Sequence, residues 1–129
     1  MAAIMGPVAI NGSVDRVADI SPTKLEWNLV VVVARLYKMP NQFGGKDSYT
    51  IEMILQDEAG DRVHYSIPKG DVGVFSTLIK EHGFYAMRNF IVKPVGRSLK
   101  TTPNKFKLSF YLRTSVSVLR DEPFPLNPF

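Results

Sequence analysis

Cysteine is absent from the 129 residues, which excludes disulfide cross-links and thiolate metal ligands. The two histidines, His64 and His82, stand apart and make no zinc site between them. The fold must therefore hold by packing. Long hydrophobic runs are also missing. Leu29–Ala34, LVVVVA, is far short of the roughly 20 apolar residues of a membrane helix and reads as a buried strand. No phosphate-cradling loop is present: Gly44-Gly45-Lys46 lacks the preceding glycine spacing and is followed by Asp47 where Ser or Thr would bind a metal. No nucleophile, base and orienting group can be picked out, so neither an enzyme nor a cofactor is expected.

One further absence is local. No acidic residue lies between Glu81 and Asp121, whereas Arg88, Lys93, Arg97, Lys100, Lys105, Lys107, Arg113 and Arg120 all fall there. The net charge of +4 is modest, but this basic block alternates with Phe, Leu and Ile. A solvated tail would lack those apolar residues, so the block points to charged strands and loops facing an anionic partner.

Ser48–Ile67 carries the clearest local pattern. Tyr49, Ile51, Met53 and Leu55 alternate on one run, and Val63, Tyr65 and Ile67 on a second, the period of half-buried strands. Asp57-Glu58-Ala59-Gly60-Asp61 between them has the residues of a tight reversal, and the stretch predicts a β-hairpin. Trp27–Tyr37 predicts an earlier strand. Its two faces are both apolar in the middle, so its centre is either buried on both sides or turned by a bulge. Phe84–Lys93 predicts a fourth strand, with a parity slip that places a bulge near Arg88-Asn89. Lys105–Arg113 predicts a fifth, with Phe106, Leu108, Phe110 and Leu112 inward. Asp71–His82 has helical spacing at Val72, Phe75, Leu78 and Ile79, with Gly83 as its stop.

Residues 1–18 are expected to form a flexible leader and 120–129 a Pro-rich tail, leaving 19–119 as one domain. Five strands with a helix between the third and fourth is the order of the OB-fold, a partly open Greek-key barrel. The expected class is therefore all-β, a five-stranded OB barrel with one short α-helix.

Four phrases, in this order, make the likeness more specific. They are Ser21-Pro22-Thr23-Lys24 with Trp27, then IEMILQDEAGDRVHYSI, then GFYAMRNFIV, then FKLSFYLRTSV. The most diagnostic pieces are Asp57-Glu58-x-Gly60 before Val63-His64, the Asn89-Phe90 pair, and Phe110-x-x-x-Thr114-x-Val116. From about Ala18 to Leu119 the chain resembles the N-terminal OB domain of plant-type large-subunit paralogues of replication protein A. The resemblance implies single-stranded DNA binding in replication, repair or recombination, a nuclear location, and other subunits of that type as partners.

A single-strand binder needs cations for phosphates and aromatic faces for bases. OB grooves run over the second and third strands between two flanking loops. The candidates around the first loop are Arg35, Tyr37, Lys38, Phe43, Lys46 and Tyr49. On strand three they are Arg62 and His64, with Ser66 on the same parity. Around the fourth and fifth strands they are Arg88, Asn89, Lys93, Arg97, Lys100, Lys105 and Lys107. Tyr37 and Tyr49 are open to a core role, Phe43 to a place on the barrel rim, and any one Lys or Arg to simple solvation. Two other functions fit the same residues: a protein-interaction domain that takes an acidic peptide or a subunit, and an RNA-binding domain.

Overall fold

The computed structural model describes residues 3–8, 14–40, 49–67, 79–95, 104–111, 113–119 and 122–124. Eight strands form one sheet: β1 (Ala3–Val8), β2 (Asn28–Pro40), β3 (Tyr49–Gln56), β4 (Arg62–Ile67), β5 (Phe84–Arg88), β6 (Ile91–Pro94), β7 (Phe106–Ser109) and β8 (Ser115–Leu119). Their order across the sheet is β1-β8-β5-β2-β3-β4-β7-β6. This class is all-β, and it fits the OB-fold.

The sheet has to curl. Five ladder steps separate β5 from β6, about 24 Å in a flat sheet. Yet Arg88 and Ile91 are three residues apart, a reach of about 11 Å. The strands between must roll round so that β5 and β6 meet at a corner. Parallel pairing of β4 with β7 and antiparallel pairing of β6 with β7 complete the roll.

The core fills the inside of that curve. Ile51, Met53, Leu55, Val63, Tyr65 and Ile67, the residues expected to hold the hairpin inward, are all buried there with Leu29, Val31, Val33, Met87, Phe90, Val92, Leu108 and Val116. Tyr65 stands at its centre, with the rings of Phe90 and Phe110 edge-on at 5.8 and 4.8 Å. The hairpin turn forms as its residues predict. Gly60 takes φ 89°, its N–H reaches Asp57 O at 3.0 Å, and Asp57 N–H reaches Asp61 O at 3.1 Å. The Asp57 carboxylate accepts from Asp61 N–H and from Val17 N–H, so the turn also anchors the single 3-10 turn at Val17–Asp19.

The count of five strands requires correction. The expected fourth strand is two strands, because Asn89 takes φ 60°, a left-handed conformation that asparagine tolerates. Its N–H bonds Trp27 O, Phe90 N–H bonds Leu25 O, and Thr114 donates its hydroxyl to Asn89 O. The parity slip predicted at Arg88-Asn89 is thus a corner, and Tyr85, Met87, Phe90 and Val92 all reach the core across it. The expected fifth strand ends at Ser109, and β8 follows it as a separate strand between β1 and β5. Ala3–Val8, expected to lack fixed structure, pairs parallel to β8. Most of the expected helix, residues 71–78, lies outside the described residues. Ile79 and Lys80 are irregular and Glu81-His82 form a turn, with His82 at φ 70°.

Gly83 serves a packing role there. A Cβ on it would stand 2.5 Å from Tyr85 Oη and 2.9 Å from two ring carbons. Tyr85 is buried and accepts Lys80 N–H at 2.7 Å, so its ring has no easy retreat. Gly83→Ala is expected to lower stability by about 1–3 kcal/mol. Urea denaturation of the two proteins checks this, and unchanged stability would show that Tyr85 moves freely.

The Pro-rich tail is partly fixed. Phe124 is buried, with its ring 5.2 Å from Phe84, and it closes a second apolar cluster with Val30, Val32, Ala86 and Leu119 on the outside of β2 and β5.

Candidate nucleic-acid interface

A bulge in β2 decides what the outer face carries. Val33 pairs with Leu55 and Arg35 with Ile54, so the register shifts at Ala34. Before that point Leu29, Val31 and Val33 face the core. Beyond it the parity reverses: Leu36 packs inward while Arg35 and Tyr37 turn outward opposite Ile54 and Glu52. Glu81 braces the reversal by accepting Leu36 N–H at 3.0 Å. Strict alternation would have put Arg35 and Tyr37 on the core side.

Outward residues line up in cross-strand rows. One row runs Arg35, Ile54, His64, Lys107, Lys93 over β2, β3, β4, β7 and β6. Its four ladder spacings cover about 19 Å. The next row runs Tyr37, Glu52, Ser66, Ser109, Ile91. Gln56 pairs with Arg62 beside them. One end of the face is cationic and aromatic, and the other is purely cationic.

At the first end, Arg35, Tyr37, Ile54 and Arg62 line a pocket of about 350 Å³. The Arg35 guanidinium lies 6.0 Å from the centre of the Tyr37 ring. Arg62 donates from Nε to Gln56 Oε1 at 3.1 Å, which sets the plane of its fork. Burial raises the Tyr37 pKa, the Glu52 charge raises it further, and Arg35 works the other way; the phenol therefore stays neutral.

The centre of the face holds a polar cluster. His64 is 1% exposed and Glu52 5%. Glu52 Oε1 accepts from His64 Nε2 at 2.6 Å and from Ser66 Oγ at 2.7 Å. An ionised carboxylate has no proton to give, so the hydrogen sits on His64 Nε2. Burial is the largest influence on Glu52 and favours its neutral form, but hydrogen bonds from His64, Ser66 and Thr50 together outweigh it and hold the carboxyl below its ordinary pKa. The Tyr37 ring meets the His64 ring edge-on at 6.5 Å. His64 thus supports the face from beneath and does not project from it.

At the far end Lys93 and Lys107 stand directly opposite each other. Like charges in that position repel, and among the described residues neither has a carboxylate within salt-bridge distance. Lys105 is exposed, with its ammonium 5.3 Å from the Phe106 ring.

The face therefore gathers Arg35, Tyr37, Arg62, His64, Lys93 and Lys107 from the expected set, with Lys105 at its edge. Lys38 is exposed at the end of β2, on the parity of Ile51. Tyr49 begins β3. Arg88 ends β5 opposite Asn28 and Ser115, on the parity of Ala86 and so on the side that Phe124 covers. Asn89 is engaged in the corner, and its side-chain amide donates to Arg113 O at 3.4 Å. Phe43, Lys46, Arg97 and Lys100 lie outside the described residues. Glu52 and Gln56 belong to the face and were not among the expected residues.

A family model described as "Domain of unknown function DUF223" matches residues 18–127. Comparison with curated proteins found no match. Several solved structures are similar. A replication protein A heterotrimer bound to ssDNA gives a TM-score of 0.69 at 15% identity, covering 84% of this chain and 25% of that chain. This chain thus spans a quarter of the replication protein A chain it matches. DNA binding domain A of S. cerevisiae replication protein A gives 0.58 at 15% identity, covering 84% of this chain and 96% of that one. Schizosaccharomyces pombe Pot1pC bound to ssDNA gives 0.55 at 12% identity, covering 87% and 90%. What is shared at these identities is the fold, that of an OB domain.

Proposed function

The chain belongs to the DUF223 family, and we propose that it is a single-stranded DNA-binding OB domain working through the outer face of β2, β3, β4, β7 and β6. The observation that carries this is the row from Arg35 to Lys93, which has an aromatic pocket at one end and at the other a lysine pair with no salt-bridge partner among the described residues. Bases need an exposed π-face, and phosphates need cations that are not already paired. The similar domains of replication protein A and Pot1 were determined with ssDNA or as DNA-binding domains, which supports the same ligand here. Tyr37 is the stacking platform, with Arg62 beside it, and Arg35, Lys93, Lys105 and Lys107 meet the backbone. Lys38, Phe43, Lys46, Tyr49, Arg97 and Lys100 are proposed as further contacts of the same strand. A part in replication, repair or recombination, a nuclear location and association with other replication protein A-type subunits follow from the same proposal.

Binding, not catalysis, is the proposed activity. The His64–Glu52 pair has the composition of an acid–base dyad, but both side chains are almost wholly buried.

Fluorescence anisotropy with a labelled oligothymidine tests the proposal. Affinity should exceed that for duplex of equal length, and Tyr37→Ala should weaken it by about 5- to 100-fold, the worth of one stacked base. Equal affinity for single strand and duplex would overturn the proposal. A matched RNA strand binding more tightly than the DNA would reassign the ligand to RNA.

A further inference from the structure

The pocket between Arg35 and Arg62 has an uneven hydrogen-bonding character. Its floor is Ile54, 4% exposed and apolar, and one wall is the Tyr37 ring. The two remaining lining residues are arginines, whose guanidinium groups donate hydrogen bonds and accept none. The acceptor side chains that flank Ile54 on β3 are engaged. Gln56 Oε1 receives Arg62 Nε, and Glu52 Oε1 receives both His64 and Ser66. A flat apolar ligand with a donor edge would leave that edge facing cations. One with two adjacent acceptors would match the fork.

In a single strand two bases present adjacent acceptors on one edge, guanine at N7 and O6 and cytosine at N3 and O2, whereas adenine pairs N7 with an amino donor and the N3–H of thymine separates its two oxygens; guanine, the purine, also lays the larger face on the Tyr37 ring. Resting on the single-strand proposal above, we propose that the Arg35–Tyr37–Ile54–Arg62 pocket is a guanine subsite. The base stacks on Tyr37 over Ile54, and an arginine fork reads N7 and O6. The bond from Gln56 makes Arg62 the better held of the two forks. Lys107 and Lys93, three and four ladder steps from Arg35 across the face, attract any strand whatever its sequence. The domain then binds single strands generally and registers them on a guanine.

The test compares labelled oligothymidine with the same strand carrying one central deoxyguanosine, deoxycytidine, deoxyadenosine or 7-deazadeoxyguanosine. A single guanine cannot form a quadruplex, so affinity reads the base alone. The guanine strand should bind about fivefold or more tightly than oligothymidine, the discrimination of one good bidentate contact. Loss of N7 should bring affinity back to within about twofold of oligothymidine. Arg62→Lys keeps the positive charge but not the fork, and it should collapse the guanine-to-thymine ratio to about one whatever it does to the absolute affinity. If oligothymidine binds but guanine adds nothing, if 7-deazaguanine serves as well as guanine, or if cytosine binds as tightly as guanine, the subsite is refuted while the single-strand function stands. If no strand binds better than duplex, the function itself falls and the subsite with it.

Discussion

Glu52→Ala is expected to cost roughly 2–4 kcal/mol of stability, the range for leaving buried hydrogen-bond donors without their acceptor. The loss is large because two neighbours depend on one oxygen. His64 Nε2 and Ser66 Oγ both donate to Glu52 Oε1, and His64, at 1% exposure, cannot turn to water instead. A domain of this size has a total stability of only about 5–15 kcal/mol, so much of it rests on this contact. Glu52→Gln keeps a carbonyl acceptor and should lose less. The effect of pH has a definite sign. The folded carboxyl titrates below its ordinary value of 4.5, so its ionised form stabilises the fold fully above that pH. The contribution fades as pH falls through the folded-state pKa, below 4.5. Denaturant titrations at neutral pH and in acid should show the gap between wild type and Glu52→Ala narrowing in acid. A gap that widened there would mean that the carboxylate is not held in its charged form. Since the His64 ring lies against Tyr37, the same substitution should also loosen the stacking platform.

This cluster shows how far the sequence could be read. Glu52 is a lone acid on the polar parity of a strand, a pattern that usually means solvent. Its partners are 12 and 14 residues away, on the other arm of the hairpin. The hairpin itself was legible, and its turn at Asp57–Asp61 implies the register that sets Glu52 beside Ser66 and Ile54 beside His64. The signal was therefore present, but only once turn and register were combined. The bulge at Ala34 had a weaker trace. A strand apolar on both faces suggests a bulge or full burial, and nothing in LVVVVARLY says at which residue the parity reverses. That one residue decides whether Arg35 and Tyr37 are core or binding face. The corner at Asn89 left a parity slip, but slip alone does not distinguish a bulged strand from two strands on different ladders. Strand β8, SVSVL, alternates cleanly. It was hidden because Lys105–Arg113 reads as one continuous strand, whereas in the fold Thr114 bonds back to Tyr111 and Asn89 and starts a new one.

Affinity for a single strand should fall about fiftyfold between 50 and 200 mM monovalent salt. Arg35, Lys93, Lys105 and Lys107 supply about four phosphate contacts, and single strands release roughly 0.7 counterion per contact, for a slope near −2.8 in log K against log salt. The far end of the face lets the charge be separated from the fold. Lys93 and Lys107 repel across β6 and β7, a standing cost that a bound phosphate would offset. Lys107→Glu converts the repulsion into an attraction. It should stabilise the free domain by about 0.2–1 kcal/mol, yet weaken binding by tenfold or more at low salt and make the salt slope shallower by about 0.7 or more. Opposite signs for stability and affinity are what a residue kept for its ligand, and not for its fold, must show. Arg16, exposed beside Val30 and Phe124 on the tail-covered side, supplies the comparison, and Arg16→Glu, an equal change of charge, should leave the slope unchanged. If Lys107→Glu and Arg16→Glu weakened binding equally, the attraction would be a matter of net charge, and the row from Arg35 to Lys93 would have no special claim to the strand.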